Sequence, residues 1–172
     1  MLVTERAGRL RLIRDGVLDP QAVSGVPEVH AVGLAGLMDG ALHPRFSENQ
    51  LVYLTYSKPG DEGVRVTLAR GRLNGLALRD VRDLFLSDPV RGTAASRVVF
   101  APDGTLFMTV GGAFGASTGG RRAQDPADTV GKVVRLRDDG SVPDDNPFVG
   151  RAGYRPEIYS LGHRNQLGLT LH

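Results

Sequence analysis

Cysteine is absent from the 172-residue sequence, which excludes disulfides and Cys-rich zinc sites and leaves either redox compartment open. Long apolar runs are missing too. No stretch approaches the roughly 18 residues that a membrane helix needs, so no membrane partner is expected. The opening stretch, "MLVTERAGRLRLIRDG", is charged by Glu5 and Arg6 and lacks the apolar core of a signal peptide. An excess of charge of one sign is also lacking: 21 basic residues face 19 acidic ones, for a formal net charge of +2. The arginines are scattered along the chain rather than run together, so no nucleic-acid partner is expected. No P-loop and no G-x-G-x-x-G occurs, which leaves phosphate and dinucleotide binding without a motif. Helical periodicity is missing as well, since no segment holds it over three turns.

What is present is strand signal. "MLVTE" and "RLRLIR" alternate and lead to the turn dipeptide Asp15-Gly16. "NQLVYLTYS" (49–57) is rich in β-branched and aromatic residues, and "GVRVTLARGRL" (63–73) places Val64, Val66 and Leu68 on one face. "TLFMTVGG", "VGKVVRLRDDG" and "EIYSLG" continue the series. With 23 Gly and 10 Pro punctuating short strands, the chain is predicted to be all-β.

A weak repeat organises these strands. "GLMDGALHPRFSENQLVYLTYS" and "ASRVVFAPDGTLFMTVGG" share a form: an apolar strand, a proline with a turn (Pro44, Pro102), then an alternating strand. "QLGLTLH" is predicted to be the apolar strand of a third copy, ending inside the pattern. Units of this size suggest β-propeller blades of four antiparallel strands, about three of them over one domain, residues 1–172, open at both ends. A blade cannot bury both faces alone, so self-association through open blade faces is an expectation.

Collinear stretches across almost the whole chain resemble the soluble PQQ-dependent sugar dehydrogenases, the glucose/sorbosone dehydrogenase family. They are "MLVTERAGRLRLIRDG", "ALHPRFSENQLVYLTYS", "SRVVFAPDGTLFMTVG", "GKVVRLRDDGSVPDDNPFVGRAGYRPEIYSLGHRN" and "GLTLH". The resemblance implies a partial six-bladed propeller, corresponding to the first half of a family member. It also implies PQQ and calcium as cofactors, an aldose sugar as substrate, and an exported location. Hydride transfer from a sugar C1 hydroxyl needs a base, cations and amides around an anionic quinone, and oxygen ligands for calcium. Arg164 and Asn165 stand where the family's "RN" reaches the cofactor, and both side chains suit that role.

The other polar positions depart from the family pattern. Thr93 occupies the place of the catalytic histidine, and threonine is no base near neutral pH. Leu34 replaces a glutamine, Gly112 an aspartate, Thr129 a histidine, and Gln166-Leu167 a Pro-Gln pair. No replacement base is expected. His43 reads as structural beside Pro44, His163 is predicted to point away from Arg164, His30 lies in a loop, and His172 is the last residue. No catalytic residue and no metal ligand is therefore assigned. The chain is expected to be a truncated member of the family that does not turn over sugar alone, the calcium ligands lying in the half that it lacks. A non-catalytic binding or assembly module is the alternative.

Two decoys complete the reading. "GASTG" (115–119) matches the nucleophile-elbow pattern around Ser117, and Asp125 or Asp138 with His163 would complete a hydrolase triad. "GRRAQDPADTVGK" contains Pro126 and no apolar stripe, so a glycine-rich loop is predicted there instead. "RDDGSVPDDNPF" gathers Asp138, Asp139, Asp144, Asp145 and Asn146 without EF-hand spacing, and turn chemistry accounts for it.

Overall fold

The computed structural model describes residues 1–112 and 116–171, apart from the side chains of 116–119. Three antiparallel sheets follow one another along the chain. The first holds β1 (Leu2–Glu5), β2 (Arg9–Arg14) and β3 (Val17–Leu18). Asp15 and Gly16 take φ of 50° and 77°, the doubly left-handed turn whose twist matches a hairpin. The second is a meander of β4 (Leu37–Leu42), β5 (Leu51–Lys58), β6 (Arg65–Asn74) and β7 (Ala77–Leu86), with the single turn α1 (Phe46–Asn49) between its first two strands. The third is β8 (Val98–Phe100), β9 (Leu106–Val110), β10 (Lys132–Leu136) and β11 (Ile158–Ser160), with α2 (Ala116–Gln124) inserted before β10.

The sheets stack because β5 is buried on both faces. Its odd pleat turns Tyr53 into a core with Leu68, Phe85, Leu106, Met108 and Val134, between the second and third sheets. Its even pleat turns Val52, Leu54 and Tyr56 into a second core with Leu10 and Leu78, against the first sheet. Polar ties fix the same stacking. The Tyr53 hydroxyl donates to the Asp138 carbonyl at 2.8 Å, and Val98 N–H to the Asp39 carboxylate at 3.0 Å. At the outer rim Ser24 forms a parallel bridge with Ala77, which joins the first sheet to the edge of the second.

The all-β expectation and the blade-like sheets hold. Three local expectations are corrected. The stretch after Gly115 is a nine-residue helix, not a loop. Tertiary contacts stabilise it despite Gly119 and Gly120: Ala123 is buried at 2 %, and Arg122 bonds the Pro89 carbonyl and pairs with Asp128. "QLGLTLH" forms no strand over 166–171, and Leu167 and Leu171 stay exposed; a strand needs a ladder partner, and none reaches this segment among the described residues. Strand β7 was not foreseen, since "ALRDVRDLFL" carries four charges and bulges against β6.

His43 has the structural role expected of it. Its ring packs against Tyr53 and Phe100, and its Nδ1 accepts from Arg45 N–H at 3.0 Å and from the Asn49 amide at 2.8 Å. That places the proton of the neutral ring on Nε2, which faces the Asp138 carboxylate at 3.4 Å.

Candidate functional site

Antiparallel pairing brings the starts of β4, β8 and β10 to one end of the sheets, together with the ends of β9 and β11. Most of the positions singled out in the sequence meet there. The loop before β4 supplies Gly33 and Leu34, and the loop before β8 supplies Thr93. The Leu34 N–H donates to Thr93 Oγ1 at 2.6 Å, and Gly33, at φ 59°, leaves the space that this side chain fills. Arg6, from the turn after β1, donates to the Gly33 carbonyl at 2.9 Å and so ties the first sheet to the same loop.

Arg164 and Asn165 follow β11 and lie along the ends of β9 and β10. Gly112 N–H donates to the Arg164 carbonyl at 3.1 Å, and His163 N–H to the Gly131 carbonyl at 3.0 Å. The Arg164 residue is exposed. Asn165 fits against Gly111, where any Cβ would collide with its side-chain oxygen. That oxygen is buried and has no hydrogen-bond partner among the described residues, and the same holds for Gln166 Oε1. A buried acceptor left without a donor costs about 1–3 kcal/mol.

Thr129 does not join this group. It is buried, and its hydroxyl and N–H both bond the Asp88 carboxylate at 2.9 Å, which also pairs with Arg155. Burial raises the Asp88 carboxyl, but the Thr129 bonds and the Arg155 and Arg122 charges outweigh it, and the group stays below the usual carboxylate range. The triad reading of Ser117 gains nothing. Its side chain lies outside the described residues, as does His172, while His163 bonds Ser160 at 2.9 Å, Asp125 caps Ala127 N–H, and Asp138 faces His43. Among the described residues no three His, Asp or Glu side chains gather in a way that could hold a metal ion, and no helix is long and apolar enough to cross a membrane.

Lys132, which sequence reading passed over, sits directly beneath the site. It is fully buried; its Nζ donates to the Arg122 and Val130 carbonyls at 2.8 and 2.9 Å, and its own carbonyl accepts from Gln166. A charge inside the apolar run "VGKVVRL" was the available signal. Burial pushes the amine down from an ordinary 10.5 to about 8, with Asp128 and Asp125 opposing. The unfolded chain therefore binds the proton more tightly than the native one. Burial of the ammonium costs stability in full below pH 8, and the cost is relieved as pH rises from about 8 to 10.5. The relief is on the order of 3 kcal/mol at about 1.36 per pH unit. The expected result is a melting temperature that climbs between about pH 8 and pH 9.5 in the native chain and stays flat in Lys132→Met. The window stops there because burial and Asp83 raise the Tyr56 hydroxyl, which removes stability above its unfolded value of 10.0.

Comparison with known proteins adds a frame to this geometry. The glucose/sorbosone dehydrogenase family model matches residues 1–172. The aldose sugar dehydrogenase YliI of Escherichia coli K12 is 39% identical over 100% of this chain and 47% of its own length. A crystal structure of the soluble aldose sugar dehydrogenase from E. coli in the apo form superposes with a TM-score of 0.87 at 38% identity, over 95% of this chain and 48% of the other. The PQQ-bound form of an aldose sugar dehydrogenase from Streptomyces coelicolor superposes with a TM-score of 0.78 at 26% identity, over 95% and 47%. The chain spans about half the length of the curated relatives it matches.

Proposed function

Because the chain belongs to the glucose/sorbosone dehydrogenase family, we propose that it forms the first three-blade portion, residues 1–172, of a PQQ-dependent aldose dehydrogenase propeller and does not oxidise sugar by itself. The observation that carries this reading is Thr93. Its hydroxyl oxygen already accepts the Leu34 N–H at 2.6 Å, and a hydroxyl in this setting takes no proton from a sugar near neutral pH. The neighbouring Leu34 offers no polar side chain to take over the task.

The residues present fit the holding of an anionic quinone better than its use. PQQ, when bound, supplies the acceptor for the sugar's hydride. Arg164 presents a planar set of N–H donors suited to a carboxylate, and the Asn165 amide group can add N–H donors beside it. The stitched segment of 162–165, fixed to Gly112, Ala123 and Gly131, keeps both residues oriented at little entropic cost. For calcium the fit fails, because the described residues offer no carboxylate cluster.

The test is to mix the purified chain with PQQ and calcium, then add an aldose and an artificial electron acceptor. Acceptor reduction is expected to stay at the PQQ-free blank, while titrated PQQ binds and Arg164→Ala weakens it about tenfold. Turnover by the unaltered chain would overturn the reading of Thr93, and binding indifferent to Arg164→Ala would overturn the cofactor assignment.

A second reading, assembly through open faces, is favoured by the outer face of the third sheet. Phe107 and Tyr159 meet edge-to-face at 4.8 Å there, with Tyr159 45% exposed. Two copies would cover such faces by two-fold pairing. Light scattering on a size-exclusion peak decides it: a discrete dimer supports the reading, and a compact monomer removes it.

A further inference from the structure

The arginines that are scattered in the sequence are gathered by strand register. Pairing of β6 with β7 sets Arg82 directly opposite Arg70 and Arg79 opposite Arg72. Like charges placed opposite each other destabilise a sheet, so two such pairs in succession call for a counter-charge. None of these four guanidiniums lies within ion-pair distance of a carboxylate among the described residues, whereas Arg9, Arg122, Arg135, Arg137 and Arg155 all do. Arg70 and Arg72 are instead oriented by neutral acceptors, the Asp138 and Asn49 carbonyls. Those bonds fix the side chains without neutralising them, and each uses one N–H of the five that a guanidinium carries.

A cavity of 170 Å³ lies among them, lined by Leu51, Arg70, Gly71, Arg72, Asp80 and Arg82. It is many times the roughly 10–15 Å³ that a single water needs on the same measure, room enough for a tetrahedral oxyanion. The one carboxylate in the lining, Asp80, sits at the bulge with φ 52° and forms no ion pair with the three arginines among the described residues. The lining thus holds three cations against one anion. The strand ends involved are at the opposite end of the second sheet from Leu34 and Thr93.

We propose that Arg70, Arg72 and Arg82 form a binding site for a phosphate group, either inorganic phosphate or a phosphate monoester, held by guanidinium N–H donors. Planar guanidiniums match phosphate oxygens two at a time, and two of the three, Arg70 and Arg72, are already held by carbonyls and need little further ordering. Binding offsets the repulsion that the register creates, so occupancy stabilises the second sheet. The site is separate from Arg164 and Asn165, and its fate does not depend on the sugar-dehydrogenase reading.

The experiment is thermal melting of the unaltered chain in rising inorganic phosphate against chloride at matched ionic strength, at pH 7. Phosphate is expected to raise the melting temperature saturably, and chloride is not. Arg82→Gln is expected to raise the half-saturating phosphate at least tenfold while melting no lower than the unaltered chain in chloride, because one repulsion is gone. Asp80→Asn is expected to lower the half-saturating phosphate several-fold. Co-sedimentation with phosphatidylcholine vesicles, with and without phosphatidic acid, separates the sources. Sedimentation only with phosphatidic acid, competed by free phosphate, assigns a lipid headgroup; saturation by phosphate without sedimentation assigns a soluble ligand. Equal shifts in phosphate and chloride, or a phosphate shift unchanged in both Arg72→Gln and Arg82→Gln, would overturn the proposal.

Discussion

Gly131→Ala is expected to lower the stability of the chain by about 3–4 kcal/mol, a large loss for the addition of a single methyl group. Gly131 holds φ at 75°, where an L side chain is strained by about 1–2 kcal/mol. A Cβ there would also collide with the His163 carbonyl and stand 2.6 Å from Ala123 Cβ, a contact that costs a further 1–3 kcal/mol or so. The backbone cannot move aside easily, since Gly131 N–H donates to Val110 at 2.7 Å and its carbonyl accepts from His163. Urea unfolding followed by circular dichroism should show a lower midpoint with an unchanged slope. Gly75→Ala is the control: its φ is 59°, but nothing lies within 4 Å of the added group, so only the conformational cost of about 1 kcal/mol remains. Equal losses at the two positions would refute the close approach of α2, β10 and the 162–165 segment. Hydrogen exchange at 162–165 should rise in Gly131→Ala alone, because that segment hangs on the displaced carbonyl.

Tyr53→Ala is expected to cost about 4 kcal/mol, enough to leave a domain of ordinary stability marginal. Tyr53 has no exposed surface, and its ring meets Phe100 edge-on at 4.9 Å and stacks beside His43 at 6.2 Å. With Leu68 and Phe85 it packs the second sheet on the third. Burial raises the phenol, which stays the donor to the Asp138 carbonyl throughout the working range. Tyr53→Phe should therefore cost only about 1 kcal/mol, because the same carbonyl also accepts from Arg70 and is not orphaned. Chemical denaturation of the three proteins measures both steps. A Tyr53→Phe loss close to that of Tyr53→Ala would mean that the hydrogen bond, and not the packed ring, joins the sheets.

Strands were legible where a local rule decides them. Asp15-Gly16 closes its hairpin as the dipeptide requires, and Val64, Val66 and Leu68 are buried together as alternation demands. The candidate site was legible only as a set of positions in a resemblance. Nothing in "GLAGLMDG" or "RGTAASRVVF" indicates that Leu34 N–H and Thr93 Oγ1 meet, because the residues are 59 positions apart and meet only when β4 and β8 stack. Thr129 shows the opposite case. Position alone grouped it with the site, while the fold commits it to Asp88.

The sequence by itself determined the all-β class, most strand spans and the turns between them, because pleat alternation and left-handed dipeptides act over a few residues. Tertiary structure decided the rest. It made a helix of "ASTGGRRAQ", whose propensity is poor, by burying Ala123 and bonding Arg122 across to the Pro89 carbonyl. It left residues 166–171 without a ladder among the described residues, since a strand exists only with a partner. It also turned four dispersed arginines into two facing pairs, because register sets which side chains oppose each other across a ladder.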